Sequence, residues 1–232
     1  MGARMKILGI ETATLAGGVA LMDEVSLIAE CRLNVEVRHS ERLLPAVDHL
    51  LAQGQTALSD LAAIAVSGGP GSYTGLRVGL AAAKGLAMGA GLPLVMIPTL
   101  EALAAAFPYC MGLVAPILDA RRGQVYWALF DTRQGAPARV TPDTLSTLQA
   151  ALDEMGRHAE RLGRTVLVCG DGKFNAQIVQ SATVPVLFPS RALAHPSAAC
   201  VAECGLDRLK NGETVSPEAA TPTYLRPFLA VP

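Results

Sequence analysis

The sequence predicts an α/β protein of two halves, each built on a mixed sheet. Three strand-like segments come in succession before any helix, buried strands then alternate with helical patterns, and the alternation partly repeats after Pro108. With 232 residues, 51% of them hydrophobic, the chain exceeds one minimal domain and has ample apolar surface for a core.

Lys6 to Glu11 (KILGIE), Gly18 to Asp23 (GVALMD) and Val25 to Asn34 (VSLIAECRLN) are apolar runs separated by short turn-like stretches, the spacing of a meander. SERLLPAVDHLLAQ then sets Leu43, Leu44, Val47, Leu50 and Leu51 at helical spacing, with Ser40 as N-cap and Glu41 in the first turn. Pro45 delays or kinks that helix. Ala62 to Ser67 follows as a buried strand, Thr74 to Gly89 as a helix, Leu92 to Ile97 as a strand and Thr99 to Phe107 as a short helix, giving the order βββαβαβα. In the second half, Leu113 to Asp119, Gln124 to Asp131 and Thr165 to Cys169 read as strands, and Thr144 to Arg161, Asn175 to Ser181 and Pro196 to Lys210 as helices. These readings predict an N-terminal lobe over 1–108, a C-terminal lobe over 109–215 and an extended tail over 216–232. Prolines stiffen the tail, while Tyr224, Leu225, Phe228 and Leu229 are too apolar for it to hang free.

A net charge of -1 provides no overall basic footprint, so any contact with RNA is expected only through a partner. The N-terminus MGARMKILGIE lacks the long apolar stretch of a signal peptide, and no run reaches the roughly 18 to 20 apolar residues of a membrane span, which predicts a cytoplasmic protein without membrane contact. Met5 is an alternative start. Cys31, Cys110, Cys169, Cys200 and Cys204 are odd in number and scattered, as expected of free thiols. His39, His49, His158 and His195 form no paired metal motif, and no metal site is expected.

The stretch VSGGPGSYTGLRVGLAAAKGLAMGAG is not a Walker A loop, and its Gly69-Pro70-Gly71 with Gly75 misses the spacing of a dinucleotide fingerprint. Two readings remain. Gly69, Gly71 and Ser72 can lead into a helix N-terminus that suits an anion, or they can form a tight turn with positive φ at Gly69 or Gly71. The helix that follows carries charge only at Arg77 and Lys84, while Gly75, Gly79, Ala82, Ala83, Leu86, Ala87 and Ala90 cover the rest. A helix without a wide polar face is enclosed by its own fold or covered by a partner, and both can hold for different faces.

Taken together, ILGIETAT, HSERLLPAVDHLL, SGGPGSYTGLRVGLAAAKGLA, IPTLEALA, LDARRGQVYWALF, CGDG and the late TYLR resemble the TsaB (YeaZ) family over nearly the whole chain. The resemblance implies two actin-like lobes of the ASKHA or ribonuclease-H-like type. It also implies a non-catalytic dimerisation subunit of the machinery that makes threonylcarbamoyladenosine in tRNA, paired with TsaD, joined by the ATPase TsaE, and homodimeric when alone. The expected partner interface comprises Leu43, Leu44, Val47, Arg77, Gly79, Ala83 and Lys84. Glu11, Thr12, Gly69, Gly71 and Ser72 are expected as a vestigial nucleotide site, with Asp119 or Asp171 and Gly172 as its counterpart in the second lobe. No intrinsic cofactor is implied, though ATP or ADP can sit at or near the partner interface. The catalytic paralogue's histidine pair is replaced here by Thr99 and Leu103, and leucine cannot ligate a metal. The competing readings are an independent actin-like ATPase or small-molecule kinase, and a peptidase of the M22-like label, for which Ser67 and Ser72 have no evident base.

Overall fold

The structure, a computed structural model, describes residues 4–34 and 39–226, and the side chains at 33, 34, 39 and 40 lie outside that description. The expected cap at Ser40, the side chain of His39 and the apolar tail residues Phe228 and Leu229 therefore fall outside the described residues. In chain order come β1 (Lys6–Glu11), β2 (Ala16–Asp23), β3 (Leu27–Asn34), α1 (His39–Gln53), β4 (Ala63–Gly69), α2 (Tyr73–Ala90), β5 (Leu94–Pro98) and α3 (Thr99–Ala105). They are followed by β6 (Leu113–Asp119), β7 (Gln124–Trp127), β8 (Phe130–Asp131), β9 (Ala138–Arg139), β10 (Thr144–Thr147), α4 (Leu148–Leu162), β11 (Val166–Gly170), α5 (Asn175–Ser181), β12 (Val186–Leu187) and α6 (Ala198–Lys210).

The first sheet has the order β3-β2-β1-β4-β5, with β1, β2 and β3 antiparallel in succession and β1, β4 and β5 parallel. Both of its central strands are covered on two faces, which is why KILGIE and AAIAVS read as continuous apolar runs rather than alternating ones. On one face Leu43, Val47 and Leu50 of α1 and Leu80, Ala83 and Ala87 of α2 pack on Leu8, Ile10, Val19, Leu21, Ile64 and Val66. The other face takes α6, which approaches closely because small residues meet there: a Cβ at Gly9 would lie 2.3 Å from the Ala198 carbonyl oxygen, and one at Gly205 2.5 Å from the Ala65 Cβ.

The second sheet runs β10-β7-β6-β11-β12, with β8 added beside β6 and β9 beside β8. Its core is formed by Leu113, Ala115, Ile117, Val125, Trp127 and Leu129 against Leu148, Leu152 and Met155 of α4.

Several boundaries differ from the sequence reading. The chain divides into Met1–Ala102 with Pro196–Pro222, and Leu103–His195 with Thr223–Pro232, so the break falls inside α3 rather than at 108. The last helix joins the first unit instead of completing a lobe over 109–215, because Ala198, Val201, Ala202 and Gly205 offer the flat, small surface that the back of the first sheet needs. The tail begins against the first unit: Val215 bridges Leu94, and Ala220 is buried in the first core. The expected helix at Thr144 opens as strand β10, and the helix proper begins at Leu148 with the Thr147 hydroxyl accepting the Ala150 N–H. The expected strand over 124–131 is split into β7 and β8, which both pair with β6 but have different outer neighbours, β10 and β9.

Replacement of Gly205 by Val should destabilise the protein by about 1 to 3 kcal/mol, since the added carbons have no room against Ala65 and Ile7. Urea unfolding measures it; an unchanged midpoint would mean that α6 does not seat on the first sheet.

Candidate functional site

The residues around the glycine loop meet at the C-terminal ends of β1 and β4. Glu11 closes β1 and is fully buried. Its Oε1 accepts the Ala13 N–H at 2.6 Å, and its Oε2 accepts the hydroxyl of Ser67, near the end of β4. Burial disfavours the charged form and lifts this carboxyl to about 7, while the Ser67 hydroxyl and the Ala13 amide pull it back down.

The turn after Glu11 lies directly on the start of α2. The Thr12 hydroxyl donates to the Gly75 carbonyl at 2.8 Å, and the Ser72 N–H donates to the Ala13 carbonyl at 2.7 Å. No side chain can intervene at this contact. A Cβ at Gly71 would stand 2.4 Å from the Ala13 oxygen, one at Gly75 2.0 Å from the Thr12 oxygen, and one at Gly79 2.1 Å from the Thr12 hydroxyl oxygen. The helix itself starts at Tyr73, one residue before the predicted Thr74, with the Ser72 hydroxyl accepting the Gly75 N–H at 3.2 Å. Gly69 is the loop glycine with a positive φ, 106°.

These contacts decide what the loop is. The amides of Ala13 and Ser72 are the kind of donors that hold a phosphate at a helix N-terminus. Here the first is bonded to a carboxylate and the second to a carbonyl of the same unit. Glu11, Thr12, Gly69, Gly71 and Ser72 thus stand together as expected, but as a closed, internally bonded corner.

Of the expected interface residues, the structure places Leu43 (6% exposed), Val47 (2%), Gly79 and Ala83 (0%) in the first unit's own core. Sequence could not orient α2, because a helix that is apolar all round gives no polar face to mark the outside. Leu44 is half exposed, Lys84 is partly buried, and Arg77 is exposed with its guanidinium 4.0 Å over the Tyr73 ring. The outward residues that the sequence reading missed are Ala81, Gly85, Met88 and Gly89 of α2. Two glycines in mid-helix were the available signal.

Thr99, a residue type that often caps helices, heads α3 fully buried, and its hydroxyl has no hydrogen-bond partner among the described residues, so it makes no capping bond. Leu103 is buried one turn later. Among the described residues no three His, Cys, Asp or Glu side chains are grouped as a metal site, and no helix is long and apolar enough to cross a membrane. None of the five cysteines is in a disulfide; burial and then the Glu203 charge push the Cys200 thiol up to about 11. Asp119 and Asp171 meet within the second unit, where the Asp119 N–H donates to Asp171 Oδ2 at 2.6 Å.

Comparison with known proteins places this corner in a family. Residues 34–229 match the family model of TsaD, tRNA N6-adenosine threonylcarbamoyltransferase. A Bacillus subtilis tRNA threonylcarbamoyladenosine biosynthesis protein, TsaB, is 36% identical over 224 residues, 96% of this chain and 94% of that protein. The chain belongs to the TsaB (YeaZ) family. YeaZ from Pseudomonas aeruginosa superposes with a TM-score of 0.78 at 28% identity, covering 95% of this chain and 100% of the other. ROK hexokinase from Thermus thermophilus, at a TM-score of 0.50 and 11% identity over 87% of this chain and 100% of its own, shares the actin-like fold alone.

The Glu11 carboxyl also sets a pH signature. Its folded value of about 7 lies above the ordinary 4.5, so between these the unfolded chain releases a proton that the folded chain keeps. Stability should therefore fall as pH rises from about 4.5 to about 7 and level off above, by on the order of 3 kcal/mol relative to Glu11→Gln at about 1.4 kcal/mol per unit. Denaturant unfolding of both proteins across this range tests it; parallel curves would show that Glu11 ionises normally.

Proposed function

We propose that the chain is the non-catalytic subunit of a threonylcarbamoyladenosine-forming assembly on tRNA, and that it acts by docking on TsaD through α1 and the outer face of α2. Membership in the TsaB family supports the role in this biosynthesis, and the match to the TsaD model supports a partner of similar first-lobe shape. One observation carries the docking surface. Gly75 and Gly79 have an internal reason to be glycine, the Thr12 contact, but a Cβ at Gly85 or Gly89 would meet nothing within 4 Å. Gly85, in mid-helix, costs about 1 kcal/mol relative to alanine, and Gly89, in the last turn, carries a smaller cost of the same sign. With no demand from inside the chain, the reason for Gly85 and Gly89 lies in what lands on them, and glycine or alanine there lets a second helix backbone come close. Ala81, Met88 (62% exposed) and Leu44 (50%) extend the same outward surface in apolar side chains.

In the absence of TsaD the same face pairs two copies of this chain, since an apolar patch of this kind is rarely left bare. Arg77 and Lys84 stand at its margin, where ATP or ADP, when present, is held between subunits. TsaE and tRNA join through the assembled complex. The closed corner at Glu11 supports a subunit that contributes contact rather than phosphate chemistry.

Replacement of Gly85 by Leu should leave the isolated chain folded, with an unchanged or higher melting temperature, and weaken association with TsaD at least tenfold in gel filtration or calorimetry. Unaltered association would place the interface elsewhere. Strong magnesium-dependent ATP turnover by the isolated chain, lost in Glu11→Ala, would favour an independent ATPase or kinase instead.

A further inference from the structure

In the second unit, the hairpin joining β6 to β7 is built in an unusual way. Arg121, Arg122 and Gly123 have φ values of 63°, 53° and 74°, three successive residues in the left-handed region. Turn chemistry alone selects glycine or asparagine at such positions, and arginine at two of them is disfavoured.

The surrounding contacts hold the tip in this conformation. Asp119 Oδ1 accepts the Arg121 N–H at 2.9 Å, the Gln124 N–H donates to the Arg121 carbonyl at 3.1 Å, and the Ala120 N–H donates to the Gln124 carbonyl at 3.0 Å. Asp171 braces the base by accepting the Asp119 N–H at 2.6 Å. Arg226 donates to the Gln124 side chain from the described end of the chain.

Charge is unevenly matched at this tip. The single oxygen Asp119 Oδ2 serves both the Lys173 ammonium at 2.6 Å and the Arg121 guanidinium at 3.6 Å. The Arg121 side chain is 78% exposed and that of Lys173 53%. Arg122 is exposed and has no hydrogen bond or ion pair among the described residues. A conformation disfavoured by its own side chains, rigidly braced and holding surplus cations toward solvent, has the form of a site kept for those side chains.

We propose that this hairpin contacts the phosphodiester backbone of the RNA substrate, with Arg121, Arg122 and Lys173 as the cations; the inference rests on the reading of the chain as part of a tRNA-modifying assembly. Guanidinium forks match phosphate oxygens in pairs, and a contact made by few cations on one hairpin is compatible with a chain whose net charge is -1.

The test uses the full chain mixed with TsaD, an unmodified tRNA transcript as probe, and the double variant Arg121→Gly with Arg122→Gly. Gel filtration reads subunit association, and fluorescence anisotropy reads tRNA affinity over a range of salt concentrations. Glycine suits the left-handed backbone, so the variant should melt no lower than the parent and associate normally. Its plot of log affinity against log salt should be shallower by about 1.4 to 1.8, the loss expected for two phosphate contacts. A double lysine variant should keep the slope. Equal slopes for parent and glycine variant, with association intact, would overturn the RNA contact and leave the docking reading standing. Loss of association only in the glycine variant would reassign the hairpin to a protein surface and overturn it too. If the parent itself fails to associate with TsaD, the docking reading falls, and the same comparison of slopes on the chain alone decides the hairpin.

Discussion

The contact between the turn after β1 and the first two turns of α2 is the constraint from which the rest of the first unit follows. Gly75 and Gly79 are four residues apart, close to one helical turn, so they line up on a single side of the helix start, and Gly71 in the turn before the Ser72 cap meets the same strand end. Thr12 and Ala13 lie in that line with a backbone separation that no other residue type permits. Once the turn is seated, the helix has no freedom to roll about its axis. Leu80, Ala83 and Ala87 are then directed into the sheet, and Ala81, Gly85, Met88 and Gly89 away from it. The outer surface is a by-product of the inner fit.

The same contact explains how a carboxylate survives in the core. A buried charge is tolerated only with donors aimed at it, and Glu11 has an amide and a hydroxyl, one for each oxygen. That is not enough to hold it fully ionised at neutral pH, because desolvation outweighs both donors. What the side chain does accomplish is local: it holds the Ala13 amide, fixes the turn, and so presents the Ala13 carbonyl to Ser72.

How much of this could be read from the residues differed with the kind of signal. The βββαβα order of the first unit was legible because buried strands flanked by glycines and a helix capped by Ser72 leave strong local patterns. The return of α6 to the first unit was not, since its small residues Ala198, Ala202 and Gly205 read as weak helix signal and only the opposing Gly9 and Ala65 give them meaning. Gly79 and Ala83 were placed on the wrong side of α2 for a related reason: helical spacing finds a face, but in an apolar helix it cannot say which face is inward, whereas Leu43 and Val47 sit on the apolar face of the amphipathic α1, and that face packs inward. Thr99 resembled a cap by residue type, whereas in place it is the first residue of α3 with its hydroxyl enclosed. The residues between Asp119 and Gln124 were left unassigned between two strands, and the left-handed geometry of Arg121 and Arg122 became visible only in three dimensions.

A near-neutral chain can still take part in RNA chemistry if its positive charge is arranged rather than abundant. With 19 basic and 20 acidic residues, the far field of the protein is close to zero. At ordinary ionic strength charges separated by more than about 8 to 10 Å are screened in any case, so only the local balance matters to a phosphate at contact distance. At the β6–β7 hairpin that balance is Arg121, Arg122 and Lys173, all exposed, and the half-buried Arg226 on Gln124, against Asp119 and Asp171, each of which has an oxygen committed to a backbone amide. Such an arrangement confers little attraction at a distance and a definite one at contact.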